Sequence, residues 1–284
     1  MLSSQKYLSS HQWITFSEQD NPAKGDTNSA LSYQDSFIRW VPKINEDTET
    51  PYGVLHFYPN DTPTILLGAK DTRLPELANA NKYLQDQGFK IAQRPHGGLA
   101  VVNDPGVINF ALVSDNRFHN LSIDDAYEQM VALVAASLSQ YNINVESYEI
   151  PDSYCPGKFD IVVNGQKIGG IAQRRFKSGV TTAAYLSVNG DQTKRAELIK
   201  TYYRIGEAGS DYPSINTTSM TTIEAVIGQP INVDDYQSLV ISTLEGVSSV
   251  KQGDYNDSEL EELYKKSFDK TESRSQKIQP DQLP

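Results

Sequence analysis

The sequence predicts an α+β domain whose central sheet is mixed but largely antiparallel, with helices packed around it. Three observations lead there. β-patterned runs dominate residues 145–185, and they include Asn164-Gly165, the strongest short hairpin signal in the chain. Helical periodicity recurs before that stretch, at 30–41, 75–87 and 122–140, and again after it from 195 onward. The length, 284 residues, suits one large core with small appendages.

Taken in order, residues 1–25 are polar and mixed, with 21–25 as loop. In 30–41, Leu31, Phe37, Ile38 and Val41 share one helical face. Strand-like runs at 54–58 and 64–68 flank the turn Pro59-Asn60-Asp61. The helix at 75–87 has Pro in its first turn and Gly88 at its end. Strands follow at 90–93, 99–103 and 107–113. Ser122, with Asp125 three residues on, marks a capped helix start, and Ile123, Ala126, Met130, Leu133, Val134 and Leu138 lie on its inner stripe. Strands at 159–163 and 167–173 flank Asn164-Gly165, and another is expected at 181–187. Helices are expected at 195–205, 220–227 and 234–250. A charged helix candidate at 258–268 precedes a polar end that reads as frayed or disordered.

Charge and composition remove several function classes. Lys+Arg number 25 against 36 Asp+Glu, a formal net charge of −11, and no basic block occurs. This argues against general nucleic-acid binding. The single cysteine excludes a disulfide scaffold and fits a reducing, cytoplasmic setting. The N-terminal text MLSSQKYLSSHQW reads as no secretory signal, and the longest apolar stretch, 131–137, is too short for a membrane span. Zinc spacing, a phosphate-binding P-loop and a G-x-S-x-G elbow are all missing from the text.

Three segments could carry chemistry. The first is SYCPGKFD, 153–160. A lone Cys155 serves readily as a small buried apolar residue, but Pro156-Gly157 beside it indicates a turn at the rim of a sheet. The second, GQKIGGIAQRR at 165–175, places Lys167 after a tight turn. Gly169-Gly170 behind it suggests a bulge or a ligand close to the backbone. The hairpin returns Lys167 towards Cys155, where a cation favours the thiolate, although a solvent-facing lysine would fit the same spacing. In the third, RPHGGLA at 94–100, Gly97-Gly98 permits close approach of backbone N–H groups to an acyl group or an oxyanion; a plain flexible loop is the alternative.

Together these segments resemble the lipoate ligase, octanoyltransferase and biotin ligase superfamily. More closely, they resemble its cysteine-dependent octanoyl-[glycine cleavage H protein]:protein N-octanoyltransferases. The text that carries the resemblance is Leu67-Gly68 with DTRLP at 71–75, RPHGGLAVV at 94–102, GVIN at 106–109, the two segments around Cys155 and Lys167, and RAELIK at 195–200. It spans roughly 30–250. The expected division is a polar segment at 1–25, a catalytic domain at 26–252, and a charged helix and tail at 253–284 that lies outside the resemblance. Leu99 fits the cysteine-dependent branch, whereas the broader superfamily often has a third glycine there; His96 stands where a small polar residue is usual.

What the resemblance implies is a two-step amide exchange. Cys155 takes an octanoyl or lipoyl group from a lysine of the H protein as a thioester, then passes it to a lysine of an apo lipoyl domain of a 2-oxoacid dehydrogenase complex. Lys167 is the expected partner of the sulfur. Arg94, His96, Gly97, Gly98, Leu99, Gly169, Gly170 and Ala172 are the expected substrate-binding residues, with Leu99, Val101 and Ala172 lining an apolar tunnel. Amide-for-amide exchange is close to thermoneutral, so no cofactor or metal is called for, and a monomer is expected. Arg73, Arg94, Lys158, Lys167, Arg174 and Arg175 are candidates for a basic patch that receives the acidic carrier. Three rivals stay open: an octanoyltransferase fed by acyl carrier protein, an ATP-dependent lipoate ligase, and a scaffold that binds without turnover. A thiol protease pairing Cys155 with His96 is a fourth.

Overall fold

An eight-stranded sheet forms the centre of the computed structural model, which describes residues 4–22, 25–58 and 62–282. Its strands are β1 (Gln12–Ser17), β2 (Tyr52–Phe57), β6 (Val107–Asp115), β7 (Glu146–Ser147), β8 (Ile161–Val163), β9 (Gln166–Phe176), β10 (Gly179–Ser187) and β11 (Val250–Gln252). They lie in the order β11-β1-β2-β6-β10-β9-β8-β7. The pairs β11–β1 and β1–β2 are parallel and the remaining five are antiparallel. A smaller sheet, β4-β3-β5, is built from β3 (Thr64–Leu67), β4 (Lys90–Gln93) and β5 (Val101–Asn103).

The helices are α1 (Ser4–Ser9), α2 (Thr27–Ile44), α3 (Leu77–Asp86), α4 (Ile123–Ser137), α5 (Gln192–Ile205), α6 (Ile223–Ile227), α7 (Val233–Glu245) and α8 (Ser258–Gln276). Ser122 and Asp125 form the expected capping box on α4, whereas Ile123, expected on its inner stripe, sits in the first turn and is exposed. At the hairpin, Asn164 and Gly165 both have positive φ (+52° and +77°), as a type I′ turn requires. A register shift between Ile161 and Val162 makes the bulge that the glycine pair suggested.

The two faces of β9 and β10 differ in side-chain size, and this positions the site. Ile168, Ala184 and Leu186 point into the core under α4 and α7. On the opposite face the paired positions are Gly170 with Tyr185 and Ala172 with Ala183, and Ala183 in turn faces Ala111 of β6. Small residues there leave the space between α2 and the sheet unfilled, and a cavity remains. Arg174, two positions beyond Ala172, reaches across to Asp35 of α2.

Both chain ends depart from their expected roles. Strand β1 lies inside the main sheet between β11 and β2, so residues read as a polar segment outside the catalytic domain supply part of the sheet. The helix expected at 234–250 stops at Glu245, because Val250–Gln252 pairs in parallel with β1. The polar end is helical well past 268: α8 runs to Gln276 and lies along α2, with Tyr264 stacked on Tyr33 at 4.2 Å and Ser267 donating to Asp35. The small hydroxyl residues Ser267, Thr271 and Ser275 form its buried stripe. A stripe of hydroxyls escapes a search for apolar periodicity. Met220, expected in a helix, pairs with the backbone of Lys167, and α6 begins at Ile223 with Thr222 as its cap. Pro59-Asn60-Asp61, with Ala23 and Lys24 of the expected loop, lies outside the described residues.

Candidate active site

Two loops meet at one sulfur atom. Cys155 lies in the segment between β7 and β8, partly exposed, with a left-handed backbone (φ +49°). A side chain in that region costs on the order of 1–2 kcal/mol, so the surroundings must hold it there. The holder is Lys167. Its ammonium is fully buried and donates to the carbonyls of Tyr154 (3.1 Å) and Cys155 (2.7 Å) and to the Ser153 hydroxyl (3.2 Å). Asp160 is paired with it at 2.9 Å. An ammonium has three N–H donors, so these four acceptors consume it. Burial pushes the Asp160 carboxyl up, and Lys167 opposes that shift.

The expectation that Lys167 faces the sulfur is therefore corrected: its amine grips the carbonyl of Cys155. The groups that do face Sγ come from the other loop. The Leu99 N–H donates to Sγ at 3.1 Å, and the Arg94 Nη2 approaches it at 3.8 Å. Arg94 is buried and also donates to the carbonyls of Leu66, Gly97 and Leu99, so the loop is wrapped round its guanidinium. At Gly98 (φ +92°) a Cβ would stand 3.0 Å from Sγ and 2.9 Å from Nη2, which explains the glycine. Gly68 permits the same closeness from below, since a Cβ there would strike the Gly98 carbonyl. Asp71 accepts from the Gly68 N–H and the Tyr203 hydroxyl, and that hydroxyl accepts from the Ala100 N–H, which braces the far side of the loop.

The sulfur opens onto the cavity between the sheet and α2, which has a volume of about 240 Å³. Leu31, Leu66, Val101, Gly170, Ala172, Ala183 and Tyr185 are among its walls, and Tyr58 and Asn109 also line it. Arg94, His96, Gly97 and Gly98 contribute from the loop. Two expected lining residues serve otherwise. Leu99 acts through its backbone, at both the sulfur and Arg94. Gly169 packs against β10, where a Cβ would strike the Tyr185 carbonyl.

His96 is buried, and burial lowers its imidazole to about 3, with Arg94 and Arg174 adding to the effect. It is neutral at neutral pH, and the sulfur's bonds go to Leu99 and Arg94, so the Cys–His pair of a thiol protease is not formed here. The six cations do not gather into a docking patch. Arg94 and Lys167 are buried, Arg174 pairs with Asp35, Lys158 pairs with Asp124, and Arg175 donates to the carbonyls of Leu121 and Ser122. Arg73 is exposed. Sequence reasoning missed Asp160 as the counter-ion and Tyr185 as a wall, although Asp160 closes the very segment that named Cys155.

This arrangement, a helix-flanked mixed sheet with an apolar cavity beside a thiol, has the fold of the lipoate ligases. A bipartite lipoate protein ligase from Thermoplasma acidophilum has the same fold, with a TM-score of 0.68 at 18% identity over 96% of this chain and 97% of that one. Residues 26–245 match the model of the lipoyl protein ligase A/B catalytic domain, and the chain belongs to that family. An octanoyl-[GcvH]:protein N-octanoyltransferase of Geobacillus kaustophilus is 37% identical over 203 residues, covering 68% of this chain and 72% of the relative. A lipoyl-[GcvH]:protein N-lipoyltransferase of Listeria monocytogenes is 37% identical over 175 residues, 60% of this chain and 63% of the relative. No helix among the described residues is long and apolar enough to cross a membrane.

Proposed function

We propose that this chain is an amidotransferase that moves an octanoyl or lipoyl group from a lysine of the glycine cleavage H protein to a lysine of an apo lipoyl domain, through a thioester on Cys155. The observation that carries it is a partly exposed thiol at an apolar cavity, with an N–H donor at 3.1 Å and a guanidinium at 3.8 Å on its sulfur. In the first half-reaction Sγ bonds to the acyl carbonyl carbon, the amide C–N bond breaks, and the thiol proton ends on the departing lysine amine. In the second, the acceptor amine attacks the thioester, the C–S bond breaks, and an amine proton returns to sulfur. Backbone N–H groups of the Gly97-Gly98-Leu99 turn, with Arg94 behind them, oppose the charge that develops on the carbonyl oxygen.

Lys167 enters as a positioning residue. It holds the carbonyls of Tyr154 and Cys155, which keeps the cysteine in its left-handed turn with the sulfur turned towards the cavity. Burial of the acyl chain contributes roughly 0.8 kcal/mol per CH₂, so the chain itself anchors the reacting carbonyl. Breaking one amide while making another requires no nucleotide. The proposed setting is the cytoplasm, where a catalytic thiol stays reduced, with the enzyme acting as a monomer.

The donor is tested by giving the enzyme, with apo lipoyl domain, either octanoylated H protein or octanoyl-acyl carrier protein. Transfer from the H protein is expected. Transfer from the carrier protein alone would make this an octanoyltransferase of the other kind, and a requirement for ATP and free lipoate would make it a ligase.

A further inference from the structure

Among the described residues, the cations at the reacting end of the cavity are engaged with backbone carbonyls, the sulfur or a counter-ion. The four acceptors around Lys167 use up its ammonium, and Arg94 gives its guanidinium to three carbonyls besides the sulfur. Tyr185 differs. Its ring lines the cavity from β10, directly across from Gly170, and stacks on Tyr154 at a centroid distance of 6.1 Å. The Lys167 ammonium stands 5.9 Å from its ring centre. The Tyr185 hydroxyl is buried and has no hydrogen-bond partner among the described residues, and the charge-bearing groups around it include Cys155, Asp160 and Arg94.

A buried hydroxyl without a partner costs the folded protein about 1–3 kcal/mol. Phenylalanine in its place would give the same ring packing without that cost. The hydroxyl therefore has its use in a state other than the resting one, and the group that enters this cavity is the acyl amide. Gly170 supports this placement. A Cβ there would stand 2.9 Å from the ring edge of Tyr185 and 3.5 Å from the Lys167 side chain, so the glycine keeps that approach open.

We propose that Tyr185 is a catalytic residue whose hydroxyl donates a hydrogen bond to the carbonyl oxygen of the bound acyl group, and retains it as that oxygen becomes the tetrahedral oxyanion. The proton stays on the tyrosine throughout, so no additional acid or base is consumed. Burial holds the phenol well above its ordinary value of 10, which keeps it a donor across the working pH range. This inference rests on the acyl-transfer function proposed above and adds one donor to it.

The test is Tyr185→Phe, read by rapid-quench formation of the acyl-enzyme from octanoylated H protein and by thermal unfolding. Loss of one oxyanion donor is expected to slow thioester formation by about 10²-fold, with KM little changed. The same variant is expected to melt at the same temperature as the unmodified protein or higher, because the orphaned hydroxyl is gone. An unchanged rate overturns the proposal. So does a melting temperature several degrees lower, or failure to fold, since either would show a structural bond in the resting protein. The unmodified enzyme is the control for the underlying function: if it forms no acyl-enzyme, the thioester mechanism fails, whereas a fast Tyr185→Phe variant beside an active parent refutes only the role of the tyrosine.

Discussion

The two loops that meet at Cys155 are built on one plan and differ in how their charge is balanced. Each wraps backbone carbonyls round a buried cation, Arg94 in the first and Lys167 in the second. Lys167 has a carboxylate at 2.9 Å, so its charge is cancelled where it sits. Among the described residues, Arg94 has no carboxylate in salt-bridge contact; nearby Asp71 bonds to Gly68 and Tyr203 instead. The paired cation is locked among its acceptors, and the unpaired one stands 3.8 Å from the sulfur. A lysine next to a cysteine in sequence motif space is therefore poor evidence of which cation serves the thiol.

Breaking the second loop has the largest expected effect. Asp160→Asn leaves the Lys167 ammonium buried without its counter-charge, and removal of one partner of such a pair costs about 3–5 kcal/mol. Chemical denaturation would register it as a lower midpoint with an unchanged slope. An equally stable variant would mean that Lys167 is not held as a charged pair.

On the first loop, Arg94→Lys keeps the charge and loses the planar fork that reaches three carbonyls and the sulfur at once. Hydrogen bonds to charged groups are worth roughly 1.5–3 kcal/mol, so acyl-enzyme formation should slow by about 10- to 100-fold. A rate within twofold of the parent would remove Arg94 from the chemistry.

The smallest effect comes from His96, which shares that loop. Its folded value of about 3 lies below the ordinary 6.5. Between those limits the unfolded chain binds a proton that the folded protein refuses, so stability falls as pH drops from 7 towards 4. The contribution is at most ~1.4 kcal/mol per pH unit. Denaturant midpoints at pH 7 and pH 5 should differ less for His96→Ser than for the parent. Equal differences would place the imidazole's titration elsewhere.

Much of the fold was legible because local chemistry agreed with it. Asn164-Gly165 specified the hairpin, Ser122 with Asp125 specified a helix start, and the pair Gly169-Gly170 signalled a bulge. Cys155, Arg94 and the Gly97-Gly98 turn were likewise found from sequence, and the structure brings them together. The direction of the Lys167 amine was not legible. It depends on carbonyls turned inward by a left-handed cysteine, a backbone state that the letters SYCPGKFD do not encode. Asp160 could have been found as an acid at the start of an apolar strand whose hairpin partner carries a lysine. The second half of helix α8, beyond residue 268, escaped because Thr271 and Ser275 bury hydroxyls where the eye seeks leucines.

The most direct test is the intact mass of the protein after brief incubation with octanoylated H protein and no acceptor. A gain of one octanoyl group is expected, lost on adding apo lipoyl domain and never formed by Cys155→Ala, whose transfer activity should fall on the order of 10⁴-fold or more. Acylation of the Cys155→Ala protein, or full transfer activity without that sulfur, would contradict the account.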